Sequence, residues 1–123
     1  MEQILVVEDN PMNMELTVVL LESWGYLVGQ AEDGAQALLE VRKGNYDLIL
    51  LDMQLPRMDG LEVLGHLKTD PDTADIPVIA LTAHSMTGDG VKFLDAGCTG
   101  YISKPINVPE FRDQISDYIK GSA

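Results

Sequence analysis

The sequence predicts an α/β domain of the doubly wound class, one parallel sheet with helices on both of its faces. Three observations predict it. Aliphatic runs and helical patterns alternate five times along 123 residues. Three of those runs, Ile4–Val7, Leu48–Leu51 and Val78–Leu81, are nearly all aliphatic, as strands covered on both faces should be. The stretches between runs carry helix start and stop signals rather than the short turns of hairpins. At this length the strand order 2-1-3-4-5 is the natural candidate, a flavodoxin-like (βα)5 doubly wound sandwich. No linker or repeat divides residues 1–123, and the core is expected over 4–120.

Each element has its own signals. The first strand, Ile4–Val7, runs into Glu8-Asp9 and then Asn10, which can cap a helix with Pro11 at its first position. That helix is expected over Pro11–Trp24, with Gly25 to end it. It carries too much apolar material for one face. At ~100° per residue Met12, Leu16, Val19 and Leu20 form the expected core stripe, and Met14, Val18 and Leu21 fall on a separate face. The second strand, Leu27–Gln30, leads to Asp33, and Asp33 with Gln36 has the spacing of a capping box. Gly44 fits the left-handed position after that helix. Asp52 follows the third strand, Leu48–Leu51, and Asp59 with Glu62 makes a second box. Thr82 follows the fourth strand, Val78–Leu81. The next stretch, "MTGDGVKFL", holds Gly88 and Gly90, and each helical glycine costs roughly 0.5–1 kcal/mol relative to alanine. The fourth helix therefore either frays in its first turn or begins only near Val91. Gly97 suits its left-handed end. The fifth strand, Tyr101–Ile102, precedes Lys104-Pro105. A third box, Asn107 with Glu110, starts the last helix, bracketed by Ile106 and Phe111 as a hydrophobic staple would be.

Composition removes several functional classes. Net charge is −12, and the eight Lys and Arg are scattered singly, so no basic stripe exists to neutralise nucleic-acid phosphates. No apolar run approaches the ~18 residues of a membrane span, and Met1-Glu2-Gln3 opens no signal peptide. Cys98 is alone, which rules out an intrachain disulfide and suits a reducing, cytoplasmic setting.

In the order 2-1-3-4-5 the first and third strands are neighbours, and ligands bind beyond the strand C-termini at that switch point. The residues there are Glu8 and Asp9, Asp52, Thr82 and Lys104. Each alone has an ordinary reading: a solvated strand end beside a helix N-terminus, a turn residue, a strand-end threonine, a surface lysine. Together they are three carboxylates, a hydroxyl and an ammonium on one edge. Two like charges ~4 Å apart cost about 4 kcal/mol at an effective dielectric of ~20, so three carboxylates either hold a proton or recruit a cation. An all-oxygen cluster suits a hard divalent ion such as Mg²⁺. Beside such an ion Asp52 is a competent nucleophile toward phosphorus, with Lys104 and Thr82 available to phosphoryl oxygens and the small Ala83 leaving the approach open.

The stretches "VVEDN", "DLILLDMQLPRMDG", "PVIALTA" and "AGCTGYISKP", in this order and spacing, resemble the receiver domains of two-component response regulators, from Ile4 to about Lys120. The resemblance implies that Asp52 accepts a phosphoryl group, that Glu8 and Asp9 hold Mg²⁺, and that Gln54 offers its backbone carbonyl to the metal. It implies that Thr82 and Lys104 contact the phosphoryl group, that Tyr101 is the switch aromatic, and that the Lys104–Pro105 bond is cis. Gln54 and His84, each two residues beyond Asp52 and Thr82, would flank the phosphoryl group and set its lifetime; a solvated loop histidine is the other reading of His84. The first helix of such domains meets the phospho-donor, a histidine kinase or histidine phosphotransfer protein. On that basis Met14, Val18 and Leu21 are expected to dock it, unless the helix is simply buried more deeply than usual. A downstream protein effector is expected on the helix 4–strand 5–helix 5 face. The chain is then a signalling domain that catalyses only its own phosphorylation and dephosphorylation. Two rivals fit less well. An aspartate-nucleophile phosphatase of the haloacid dehalogenase type needs a second Asp where Gln54 stands, and a flavodoxin-like binding module needs a Gly/Ser/Thr-rich phosphate loop where Glu8-Asp9 stands.

Overall fold

A computed structural model describes residues 2–55, 58–82, 89–104 and 106–121. Five strands, β1 (Gln3–Val7), β2 (Leu27–Ala31), β3 (Leu48–Asp52), β4 (Val78–Thr82) and β5 (Gly100–Ser103), form one sheet in the order β2-β1-β3-β4-β5, all neighbours parallel. Between and after them lie α1 (Pro11–Ser23), α2 (Gly34–Val41), α3 (Gly60–Thr69), α4 (Asp89–Asp95) and α5 (Val108–Gly121). This is the doubly wound fold expected from the alternation, with each strand within a residue or two of its expected bounds.

Strand side chains alternate across the sheet, and the alternation sorts the interior into two cores. Ile4 and Val6 of β1, Leu48 and Leu50 of β3, and Ile79 and Leu81 of β4 pack with α1 and α5 residues such as Leu21, Phe111 and Ile115. Leu5 and Val7, Ile49 and Leu51, and Val78 and Ala80 pack on the other face with Ala37, Val63, Leu67 and Phe93. Every residue of β3 and β4 is buried, which is why those two runs carry no polar residue before their last positions. Trp24 bridges the ends of α1 and α5, its ring 5.8 Å from that of Phe111, with the Arg112 guanidinium 5.7 Å from its centroid.

The helix starts follow their cap residues. Asn10 accepts from the backbone N–H of Met12 and Asn13 at 3.0 and 3.1 Å, with Pro11 at the first helical position. Asp33 and Asp59 accept from Gln36 and Glu62 N–H, at 2.8 and 2.9 Å. Asn107 accepts from Glu110 N–H at 3.2 Å. Gly25 and Gly97 take positive φ, 94° and 117°, and close their helices as expected. Gly44 does not. The second helix already ends at Val41 with Arg42 as a right-handed cap, and Gly44 lies further on, beside Gln3. α4 is described over Asp89–Asp95, with Gly90 inside it; Gly88 and the residues before it, on which the two readings of the helix start turn, lie outside the described residues.

The first helix turns the opposite way from the expectation. Met14, Val18 and Leu21, expected on a partner-docking face, are buried against the sheet together with Thr17. Met12 is 80% exposed, Val19 56% and Leu16 49%, while Leu20 is half-buried. The physical reason is Thr17. Counted as polar it breaks the second stripe, but its side chain is buried, and Met14, Thr17, Val18 and Leu21 then form an unbroken i, i+3, i+4, i+7 face.

Candidate functional site

The backbone brings the candidate residues to one edge before any side chain acts. The ladder continues past the strand tips: Glu8 N–H donates to Ala31 O at 3.0 Å, Met53 N–H to Leu81 O at 3.1 Å, and Lys104 N–H to Thr82 O at 2.9 Å. Asp52 pairs in register with Leu81, and Thr82 with Ser103. Glu8, Asp52, Thr82 and Lys104 therefore stand on four adjacent strand ends, fixed by sheet hydrogen bonds rather than by loops.

The side chains then converge. One carboxylate oxygen from each of Glu8, Asp9 and Asp52 lies within 4.8 Å of the other two. Lys104 Nζ donates to Asp52 Oδ2 at 2.9 Å and to Glu8 Oε1 at 3.0 Å. The remaining oxygens are also engaged: Asp52 Oδ1 accepts from Gln54 N–H at 2.9 Å, and Glu8 Oε2 from Asn10 N–H at 3.2 Å. Glu8 and Asp52 are buried, at 3% and 4% exposure, and Asp9 is exposed at the rim. Thr82 is buried at the tip of β4.

Burial pushes the Glu8 carboxyl above the usual carboxylate range, and Asp52 beside it pushes the same way, against the pull of Lys104. Burial alone would lower the Lys104 amine. Its hydrogen bonds to Asp52 and Glu8 outweigh that, so the group stands above its ordinary value and is charged. The site is thus anionic, dry on its Glu8 side and rich in oxygen. That donor set fits a hard divalent cation held by few protein ligands, Mg²⁺ before a softer metal.

Residues 4–116 match the family model of the response regulator receiver domain. The chain belongs to that family. Among curated relatives, the polar-differentiation response regulator DivK of Brucella ovis is 45% identical over 118 residues, 96% of each chain. Among solved structures, the receiver domain of a sensor histidine kinase from Pseudomonas aeruginosa has a TM-score of 0.89 at 35% identity, covering 97% of this chain and 98% of that one. That structure has a magnesium ion coordinated in its active-site cleft. A chemotaxis protein of Vibrio cholerae has a TM-score of 0.90 at 25% identity, covering 96% and 98%.

In this receiver domain Glu8, Asp9, Asp52 and Lys104 form one cluster, with Thr82 at the neighbouring strand tip. The Gln54 side chain is exposed, and its N–H is the group that touches Asp52. Tyr101 is half-buried on β5 against the α4-side core. Ala83, His84 and Pro105, and with them the state of the Lys104–Pro105 bond, lie outside the described residues. Sequence reasoning gave Asn10 a capping role only; its N–H also steadies Glu8, so one residue ties that buried carboxylate to the start of α1. Among the described residues no helix is long and apolar enough to cross a membrane.

Proposed function

We propose that this receiver domain of a two-component system takes a phosphoryl group from a phosphohistidine onto the Asp52 carboxylate with the help of Mg²⁺, and that its surfaces for partners differ between the two states. The observation that carries the reading is the convergence on Asp52: Lys104 Nζ at 2.9 Å and carboxylate oxygens of Glu8 and Asp9 within 4.8 Å. Glu8, Asp9 and Asp52, with the Gln54 carbonyl, would hold the cation, which when bound supplies charge neutralisation for the incoming phosphoryl oxygens. Asp52 attacks phosphorus, a P–O bond to its carboxylate forms, the P–N bond to the donor imidazole breaks, and the departing nitrogen takes a proton from solvent to leave as neutral imidazole. Lys104 and Thr82 meet the phosphoryl oxygens, Thr82 and Tyr101 relay the change, and Gln54 with His84 set how readily water removes the group. The domain turns over no metabolite, and the free, buried Cys98 suits work in the cytoplasm.

Both partner surfaces are proposals too. The exposed stripe Met12, Leu16 and Val19 replaces the buried Met14, Val18 and Leu21 as the surface for the donor, a histidine kinase or histidine phosphotransfer protein. An acidic cleft of about 260 Å³, lined in part by Asp9, Glu15 and Glu32, adjoins α1 and favours a basic rim on that partner. A downstream effector would meet the α4–β5–α5 face, where Leu94, Tyr101, Glu110, Gln114 and Tyr118 line a cleft of about 500 Å³.

The test is phosphorylation by acetyl phosphate or a phosphohistidine donor, read by intact mass. Wild type should gain one phosphoryl group only with Mg²⁺ present, and Asp52→Asn none. Equal labelling of Asp52→Asn, or labelling indifferent to chelator, would overturn the reading.

A further inference from the structure

The sheet ends at β2, which pairs with β1 on one side and with no strand on the other. The ladder to β1 uses alternate residues: Leu27 N–H donates to Glu2 O, and Ala31 O accepts from Glu8 N–H, each at 3.0 Å. By that alternation Val28 and Gln30 turn their N–H and C=O groups outward. Among the described residues no hydrogen bond meets those groups. Sheet edges are commonly blunted by a charge, a proline or a bulge. The strand Leu27–Ala31 has none of these, and its register with β1 runs unbroken over all five residues.

The two flanks of this edge differ. Leu27, exposed, shares a face with Ala31, which lies in the same core as Ala37 and Val41 of α2, and α2 also presents the exposed Leu39. Val28 and Gln30 face the α1 side, where Gln30 joins Asp9, Glu15 and Glu32 in the cleft of about 260 Å³. Of the exposed large apolar residues described, all but Leu94 and Val108 lie on α1, β2 and α2, around this one edge. One flank is apolar and the other acidic. A second copy of the chain fits that arrangement badly. A twofold axis joining β2 to its own copy keeps each face on its own side, so Glu15 and Glu32 would meet like charges.

We propose that the β2 edge takes an extended segment of a partner protein as a sixth strand, and that the residues of this segment alternate basic and apolar. Its backbone pairs with the outward groups of Val28 and Gln30. Side chains of a strand point to opposite faces in turn, so the basic ones reach the cleft of Asp9, Glu15 and Glu32 while the apolar ones lie on Leu27 and Leu39. Main-chain hydrogen bonds supply the affinity of such a contact, and the unlike flanks set its sequence and register. The contact is separate from phosphotransfer at Asp52, and it uses edge groups that a helical donor on α1 leaves open.

The probe is a capped seven-residue peptide that alternates lysine and valine, and the control is an isomer with all its lysines ahead of its valines. Titration and residue-level amide hydrogen exchange test the proposal. With the alternating peptide at about ten times its Kd, exchange at Val28 and Gln30 should slow about tenfold by mass action, while Gly29, already bonded to β1, changes little. Glu15→Gln combined with Glu32→Gln should weaken binding about three- to tenfold. Glu62→Gln combined with Asp95→Asn, an equal charge change at exposed positions of α3 and α4, should not. Leu39→Ser should weaken it on the other flank. An alternating peptide that does not bind, or binds no better than its isomer, overturns the proposal. Equal weakening by the two charge pairs, or binding without the alternate pattern of protection, does the same. Protection of Val28 and Gln30 that grows with protein concentration alone marks a second copy on the edge and also overturns it.

Discussion

Asn10 does three jobs with one short side chain and its own amide. Its Oδ1 caps two N–H groups of α1, and its N–H holds Glu8. Asn10→Ala keeps the amide and loses the cap, so urea unfolding should show a loss of about 1 kcal/mol, in line with other cap deletions. Cys98 makes a pH prediction. It is 6% exposed, and burial pushes its thiol up to about 11. A thiol raised on folding adds stability below its unfolded pKa and loses that contribution as pH rises toward the folded one. Tyr26, Tyr46 and Tyr118 are raised by burial and work in the same sense; Lys68, lowered by burial, works in the opposite one. Unfolding free energies measured between about pH 8 and pH 11 should therefore fall less steeply for Cys98→Ala than for wild type. A parallel fall would show that the thiol is not held neutral. At this scale Glu8, Asp9, Asp52, Thr82 and Lys104 were legible because strand ends in a doubly wound sheet share one edge. The Lys104–Glu8 contact was not, because it depends on the reach of two side chains 96 positions apart.

Among the elements, α1 is where sequence reasoning chose the wrong face. Two apolar stripes compete on that helix, and periodicity cannot rank them when the winning one contains a buried threonine. The outcome yields a cleaner experiment. Leu16→Glu lies on the exposed stripe, so its melting temperature should stay near wild type. Phosphotransfer from the cognate histidine donor should slow at least several-fold, while labelling by acetyl phosphate stays unchanged; equal rates from both would remove α1 as the donor surface. The two edge strands share a device that no periodicity reveals. A Cβ on Gly29 of β2 would collide with the Tyr46 hydroxyl, and a Cβ on Gly100 of β5 with that of Tyr118. On each edge strand a tyrosine thus packs against the sheet face at a glycine. Gly29→Ala should cost about 1–3 kcal/mol by displacing Tyr46, measured by urea unfolding, and Tyr46→Leu in the same chain should recover part of that loss.

At the scale of the molecule the fold was legible because uninterrupted aliphatic strands allow only a sheet covered on both faces. What the sequence left open was how each helix rolls on that sheet, a matter of packing between residues far apart in the chain. The sheet separates the two cores, so α1 and α5 share one interior and α2, α3 and α4 the other. On the first side the helix proposed to receive the donor lies against a helix of the proposed output face, and their seam is where Trp24 meets Phe111 and Arg112. Trp24 is the only tryptophan in the chain. Its intrinsic emission is thus a label-free optical gauge of that seam, sensitive to any sliding of one helix past the other and already in place without an engineered dye.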